Sequence, residues 1–261
     1  MELLLKNVSA GYGSEKVLKN IDLSISDGET VFIGGRNGTG KTTLLRVMSG
    51  LMDHEGSVTI GGEDISKMKR RSVARLIALM PQASEMYFQY TCFQTVLLGR
   101  FARSKNVFGS FTQEDREAAR SAMETCGVYE YRDRLLNELS GGQLQRVLLA
   151  RTFAQGTPFV LLDEPGSNLD IKYRAELCDY LGKWAQGTTS TPYGELKNTV
   201  VAVFHDLGQA RSVCSRTVFL KDGKIAADGA TESVITPECL QDVYDFDVAG
   251  YLNSQSFGRD A

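Results

Sequence analysis

Proline is scarce in this chain, with five residues in 261, and tryptophan occurs once. Histidine is nearly as rare: only His54 and His205 are present. Two histidines exclude a histidine-rich metal site. The five cysteines, Cys92, Cys126, Cys178, Cys214 and Cys239, include no Cys-x-x-Cys pair. An odd, dispersed set reads as reduced thiols used as small core residues. No apolar run approaches the ~18–20 residues of a membrane span. The start, Met1-Glu2-Leu3-Leu4-Leu5-Lys6-Asn7, lacks a basic segment followed by a long apolar stretch, so no secretory signal is expected. Neither charge dominates: 29 basic against 32 acidic residues leave a formal charge of −3. That mild acidity counts against a general nucleic-acid binder. With 42% hydrophobic and 23% charged residues the chain is not generally disordered. It is expected to be a soluble globular protein that buries roughly 73% of its unfolded surface.

Glycine is the residue in surplus. There are 26, where average usage of about 7% would give roughly 18. Collagen-like and linker-like chains are rich in proline too, so this glycine needs another explanation.

The hydrophobic pattern supplies the frame. Leu3–Leu5, Ile21–Ile25, Thr30–Ile33, Ser57–Ile60 and Arg75–Met80 read as strands, with Gly11-Tyr12-Gly13, Asp27-Gly28 and Gly61-Gly62 as turns. Thr42 to Gly50 has helical spacing and stops at a glycine. From about Tyr90 to Ala154 the pattern is helical, with Thr112-Gln113-Glu114-Asp115 opening a helix to Cys126. Phe159–Leu162 and Val200–Phe204 are continuous apolar strands, the kind buried on both faces of a parallel sheet. Val218–Leu220 and Lys224–Ala226 flank Asp222-Gly223 as a hairpin. The order predicts an α/β core with a helical insertion. Gln186 to Asn198 reads as an exposed loop, and the basic stretch Lys67 to Arg75 as a solvated helix face.

Gly35-Arg36-Asn37-Gly38-Thr39-Gly40-Lys41-Thr42 matches G-x-x-x-x-G-K-[ST] in full, between a strand and a helix. Glycines let the backbone curl so that successive N–H groups face one anion, and the following helix adds its dipole. Lys41 can reach β- and γ-phosphates, Thr42 can ligate Mg²⁺, and Thr43 can help hold the α-phosphate. A second segment, Phe159-Val160-Leu161-Leu162-Asp163-Glu164, ends a buried strand in two acids, where ligands of open α/β sheets sit. Asp163 can hold Mg²⁺ through water, and Glu164 can polarise a water in line with the γ-phosphate. On its own the pair could equally cap a turn. Leu139-Ser140-Gly141-Gly142-Gln143 opens another helix with small residues. It could be a plain serine cap, or a second anion site offered to a partner copy.

Taken together these pieces resemble the ATP-binding subunit of ABC transporters over nearly the whole chain. The resemblance implies an α/β P-loop ATPase core with an antiparallel β-subdomain and an inserted helical subdomain. Core and β-subdomain would span 1–88 plus 156–230, the helical subdomain 89–155 and a C-terminal tail 231–261. It implies ATP and Mg²⁺ as ligands. Tyr12 would stack on adenine, and Gly35–Thr42 would be the Walker A loop. Gln82, in Met80-Pro81-Gln82, would sense Mg²⁺ and the attacking water. Ser140, Gly141, Gly142 and Gln143 would form the signature. Asp163 and Glu164 would close Walker B, Ser167–Asp170 would be the D-loop, and His205 would contact the γ-phosphate. Arg36 stands where the family often has proline, and Gly166 where threonine is usual.

Tyr90–Arg100, Phe111–Arg116 and Thr236–Tyr244 further resemble the importer subgroup for ferric siderophores, haem and cobalamin. That resemblance implies a second ATPase subunit, membrane permeases and, indirectly, a substrate-binding protein. It places the chain at the cytoplasmic face of the membrane, with Cys92 and Phe93 toward the permease. The same motifs leave open a non-transport ABC ATPase, such as one for Fe–S cluster assembly, an importer of another metal or oxyanion, and an exporter subunit.

Overall fold

The computed structural model describes residues 1–82, 89–104, 111–167, 169–204, 206–247 and 250. The sequence-based expectations for His205 and for Asn168 of the D-loop lie outside these described residues.

The chain begins with antiparallel strands β1 (Glu2–Tyr12) and β2 (Glu15–Ser26), followed by β3 (Thr30–Gly34) and helix α1 (Lys41–Met48). Then come β4 (Glu55–Ile60), the short β5 (Glu63–Asp64), α2 (Arg70–Val73) and β6 (Ile77–Met80). The helical block contains α3 (Cys92–Leu98), α4 (Gln113–Thr125) and α5 (Gly141–Ala154). The second half runs β7 (Phe159–Asp163), α6 (Ile171–Ala185), β8 (Thr188–Thr191), β9 (Gly194–Lys197) and β10 (Thr199–Val203). It continues through α7 (Leu207–Val213), β11 (Arg216–Lys221), β12 (Lys224–Ala230), α8 (Thr231–Val234) and α9 (Pro237–Tyr244).

One sheet has the order β2-β1-β4-β5 and is antiparallel throughout. The larger sheet has the order β12-β11-β3-β10-β7-β6, parallel except at its β12 edge. Every residue of β7 and β10 is buried, as their unbroken apolar runs predict. The two sheets enclose a core of Leu3, Leu5, Ile25, Val31, Ile33, Leu44 and Leu161. A second core, with Phe32, Leu162, Val200 and Phe219, packs the other face of the larger sheet against α6, α7 and α9. A third lies within α3, α4 and α5, where Val96, Met123 and Val147 meet.

Parallel pairing aligns the strand ends. Leu162 pairs with Ala202 and Met80, and Ala202 pairs with Phe32. The chain therefore leaves β3, β10, β7 and β6 along one edge, so the residues that follow each strand meet there.

Three expectations change. Gln186–Asn198 is not an open loop: β8 and β9 pair across Thr188↔Lys197 to Thr191↔Gly194. The run of β-branched threonines favours extended backbone, and Leu196 is buried beneath it. Tyr193 donates its hydroxyl to Glu63 Oε1 at 3.1 Å, and the Lys197 N–H donates to Asp27 Oδ2 at 3.3 Å, so both ends are tied down. The basic stretch is also more than a wetted face. Arg71 Nε and Arg75 Nε each donate to the Ala102 carbonyl at 2.9 Å, linking α2 and the residues just after it to the turn that follows α3. Cys92 is fully buried at the start of α3, so it cannot itself face a partner; Tyr90, Leu98 and Phe101 are exposed around it.

The helical block is closed by two constraints. The Arg100 guanidinium, almost fully buried, donates to Asp115 Oδ1 and to the Ala154 carbonyl, both at 3.0 Å. Asp115 also accepts from the Thr112 N–H and hydroxyl, so the helix-opening residue doubles as the ion-pair partner. Beside it, Gly99 lets α3 approach α5: a Cβ there would lie 2.3 Å from the Arg151 carbonyl oxygen. Because the obstacle is backbone, Gly99→Ala is expected to lower unfolding free energy by about 1–3 kcal/mol. Denaturant unfolding checks this; an unchanged midpoint would show that the helices are not held this close.

Candidate nucleotide site

The phosphate loop follows β3, and Gly35, Gly38 and Gly40 all take left-handed φ values, 136°, 82° and 102°. At Gly35 a side chain is doubly excluded, since a Cβ would also lie 2.4 Å from the Leu220 carbonyl oxygen. Gly40 then starts α1 with no side-chain cap. In contrast, α3, α4 and α5 are capped by Thr91, Thr112 and Ser140. The first-turn N–H groups of α1 are thus left for an anion. Thr39 Oγ1 donates to the Arg36 carbonyl at 2.9 Å and pins the curl.

Lys41 Nζ donates to the carbonyls of Gly35 at 2.8 Å and Arg36 at 2.9 Å. Burial holds its ammonium below the ordinary lysine value, and the Glu164 and Asp163 carboxylates oppose that shift. Across the loop, Asp163 is 2% exposed and its Oδ2 has no hydrogen-bond partner. Burial pushes its carboxyl above the usual range, while the Thr42 hydroxyl beside it pulls the other way. An orphaned carboxylate oxygen next to a threonine hydroxyl suits a hard cation that takes oxygen ligands and completes its shell with water and phosphate. Asp163 and Thr42 therefore fit Mg²⁺.

Glu164 has φ 55°, rare for a residue with a side chain, and the turn it makes aims the chain out of β7. Gln82 Nε2 donates to Glu164 Oε2 at 2.7 Å. Tyr12, 53% exposed at the tip of the β1–β2 hairpin, accepts from Arg46 Nη1 at 3.1 Å. Tyr12, Asn37, Lys41, Thr42, Thr43, Gln82 and Glu164 line one cleft of about 580 Å³. This is large enough for a small-molecule ligand.

Ser140, Gly141, Gly142 and Gln143 are not in that cleft. Ser140 Oγ accepts from the Gln143 N–H at 3.3 Å, and Gln143 Oε1 accepts from the Ser140 N–H at 2.9 Å. The motif is a reciprocal cap at the start of α5. Two contacts escaped the sequence reading. Gln145, 1% exposed, donates from Nε2 to the Glu164 carbonyl at 3.0 Å, tying α5 to the end of β7. Arg46 supports Tyr12. Gln145 carries no sequence signal beyond an inward helical position, and Arg46 none beyond a basic residue near a helix end.

A phosphate loop on an α/β sheet, with paired acids at the end of a strand in the same sheet, defines a P-loop nucleotide-binding protein. Residues 18–167 match the family described as ABC transporter. The chain is 34% identical over 246 residues to the iron(3+)-hydroxamate import ATP-binding protein of Bacillus subtilis, covering 94% of this chain and 88% of that one. It is 36% identical over 240 residues to the ferric enterobactin transport ATP-binding protein of Escherichia coli, covering 92% and 85%. Some relatives are longer: the chain spans 60% of a Halobacterium salinarum cobalamin import ATP-binding protein and 55% of an uncharacterized Bacillus subtilis ABC transporter ATP-binding protein. Among solved structures it is similar to a dimeric ATP-binding cassette in a post-hydrolysis state bound to ADP and Pi. That match has a TM-score of 0.76 and 29% identity, and covers 88% of this chain and all but 1% of the other (99%). The chain belongs to the ABC transporter family of ATP-binding proteins, and its mixed α/β fold is that of an ABC ATPase.

The orphaned carboxylate has a thermodynamic consequence. A carboxyl raised by burial holds its proton more tightly folded than unfolded. Its charged form therefore costs stability, increasingly as pH rises from the unfolded range through the folded pKa, and fully above it. Asp163→Asn is expected to raise Tm of the nucleotide- and metal-free chain at pH 7 by about 2–4 °C. The gain should shrink toward pH ~4, where the unfolded carboxyl also begins to protonate. A Tm at pH 7 that is unchanged or lower would contradict this account.

Proposed function

We propose that this chain is the ATP-hydrolysing subunit of an ABC importer, driving uptake of an iron-siderophore, haem or cobalamin-type substrate. The observation that carries the reading is the Gln82–Glu164 contact beside the uncapped phosphate loop. It supports reading Glu164 as the base: a carboxylate held by a neutral amide, in the cleft that Lys41 and Thr42 also line. Gly35, Arg36, Asn37, Gly38, Thr39, Gly40, Lys41, Thr42 and Thr43 cradle the triphosphate, and Tyr12 stacks on the adenine. Asp163, Thr42 and Gln82 hold Mg²⁺, which neutralises charge on the phosphate oxygens when bound. Glu164 is the general base, and His205 contacts the γ-phosphate.

Ser140, Gly141, Gly142 and Gln143 lie outside the cleft of their own chain, so each site is completed by the signature of a second subunit. Residues 1–88 plus 156–230 are the core and β-subdomain, 89–155 the helical subdomain and 231–261 the tail. Exposed Leu98 and Phe101, three residues apart at the end of α3, offer an apolar face to a permease. The chain is then peripheral at the cytoplasmic face of the membrane. Supporting the substrate class are the iron-hydroxamate, enterobactin and cobalamin names of its relatives.

Glu164→Gln keeps the shape of the contact and removes the base. Steady-state ATP hydrolysis should fall at least about a hundredfold. Nucleotide should still bind, and ATP should trap a dimer on size exclusion. Turnover at the unaltered rate would sink the base assignment.

A further inference from the structure

The tail reaches the phosphate loop at Gly35 and Arg36, which do not line the nucleotide cleft. Helix α9 ends with Tyr244, and the next residue, Asp245, turns into the left-handed region at φ 52°. The Tyr244 hydroxyl accepts from the Gly35 N–H at 3.4 Å. Asp245 Oδ2 accepts from Arg36 Nη1 at 2.5 Å. The other oxygen of Asp245 accepts from Lys221 Nζ at 3.2 Å, and the same ammonium donates to the Asp242 carbonyl at 2.6 Å. Asp245 is thus a bridge between the end of β11 and the phosphate loop. The Tyr244 ring stands edge-on to Phe219, which in turn stands edge-on to Phe32 of β3. Between loop and tail, Gly35, Arg36, Asn37 and Lys41 face Phe204 and Tyr244 across a cavity of about 450 Å³.

The residues gripped are telling. Gly35 and Arg36 are the two whose carbonyls receive the Lys41 ammonium. Any shift of those peptide units moves the lysine that would meet the triphosphate. A loop already held in its curled form loses less freedom on binding an anion, which strengthens binding.

We propose that Tyr244 and Asp245 are positioning residues of the ATP site, which act through Gly35 and Arg36 to preset the phosphate loop and the Lys41 ammonium. The proposal rests on the reading of Gly35–Thr42 as the triphosphate cradle. Both members of the Arg36–Asp245 pair are about half exposed, so the coupling is modest and sensitive to salt.

The test is Mg²⁺–AMP-PNP affinity of the full chain by titration calorimetry, with ATP KM and kcat beside it. Asp245→Asn should weaken nucleotide binding about three- to fivefold. KM should rise with it, and kcat at saturating ATP should move less. Tyr244→Phe, which keeps the ring on Phe219 and removes only the acceptor, should shift affinity in the same direction. The doubly exchanged Arg36→Asp/Asp245→Arg chain should recover part of the loss seen in Arg36→Asp alone. In ~1 M salt the Asp245→Asn effect should shrink. Variants that bind nucleotide as the unaltered chain does, with only Tm lowered, would make the tail a mere staple and overturn the proposal. So would failure of the exchanged pair to recover any affinity. If the unaltered chain bound no nucleotide, the triphosphate-cradle reading would fall first, and this proposal with it.

Discussion

Two carboxylates at the end of a fully buried strand are the constraint around which the rest of the structure is arranged. Taking Asp163 to 2% exposure strips water from a charge and leaves one oxygen without a partner. The protein answers with Thr42 at one side and the Lys41 ammonium nearby, not with a full hydrogen-bond shell. Lys41 is itself held by loop carbonyls, which is why the loop must curl and why its glycines take φ values closed to other residues. The cost of the buried charge and the backbone conformation of the loop are thus one problem, and a cation with a polyphosphate would relieve both.

The helical block connects to this site through few but specific contacts. Gln145 bonds the Glu164 carbonyl from α5, the helix that Ser140 caps, so the position of α5 and the turn at Glu164 are coupled. Within the block the buried Arg100–Asp115 pair and the close approach at Gly99 tie α3, α4 and α5 to one another. Arg71 and Arg75 join that unit to the strand leading to Gln82. These links run from the Glu164 strand end to the exposed Leu98 and Phe101.

Much of this was legible because several signals are local. The phosphate loop is contiguous, its glycines are demanded by φ, and the strand and helix on either side follow from apolar runs and spacing. The acids of Asp163-Glu164 follow an unbroken run of four apolar residues, Phe159–Leu162, so their place at a strand end was readable too. The Gln186–Asn198 segment was misread because its polar threonines look like loop composition, whereas β-branching and one buried leucine make a hairpin. Cys92 was misread for the opposite reason: its position near the helical block was right, but side-chain direction depends on which face of α3 meets α4 and α5.

The sequence by itself determined the chemistry available: a contiguous anion cradle, a carboxylate pair and an amide after a third strand, each set by neighbours in the chain. Only the tertiary structure decided which of these meet. Parallel register brings Gln82 to Glu164 across 82 positions, and the packing of α9 on Phe219 brings Asp245 to Arg36 across 209. Such contacts leave no periodic mark in the sequence. They depend on strand order and on helices docking against a sheet, and both are resolved only when the whole core closes.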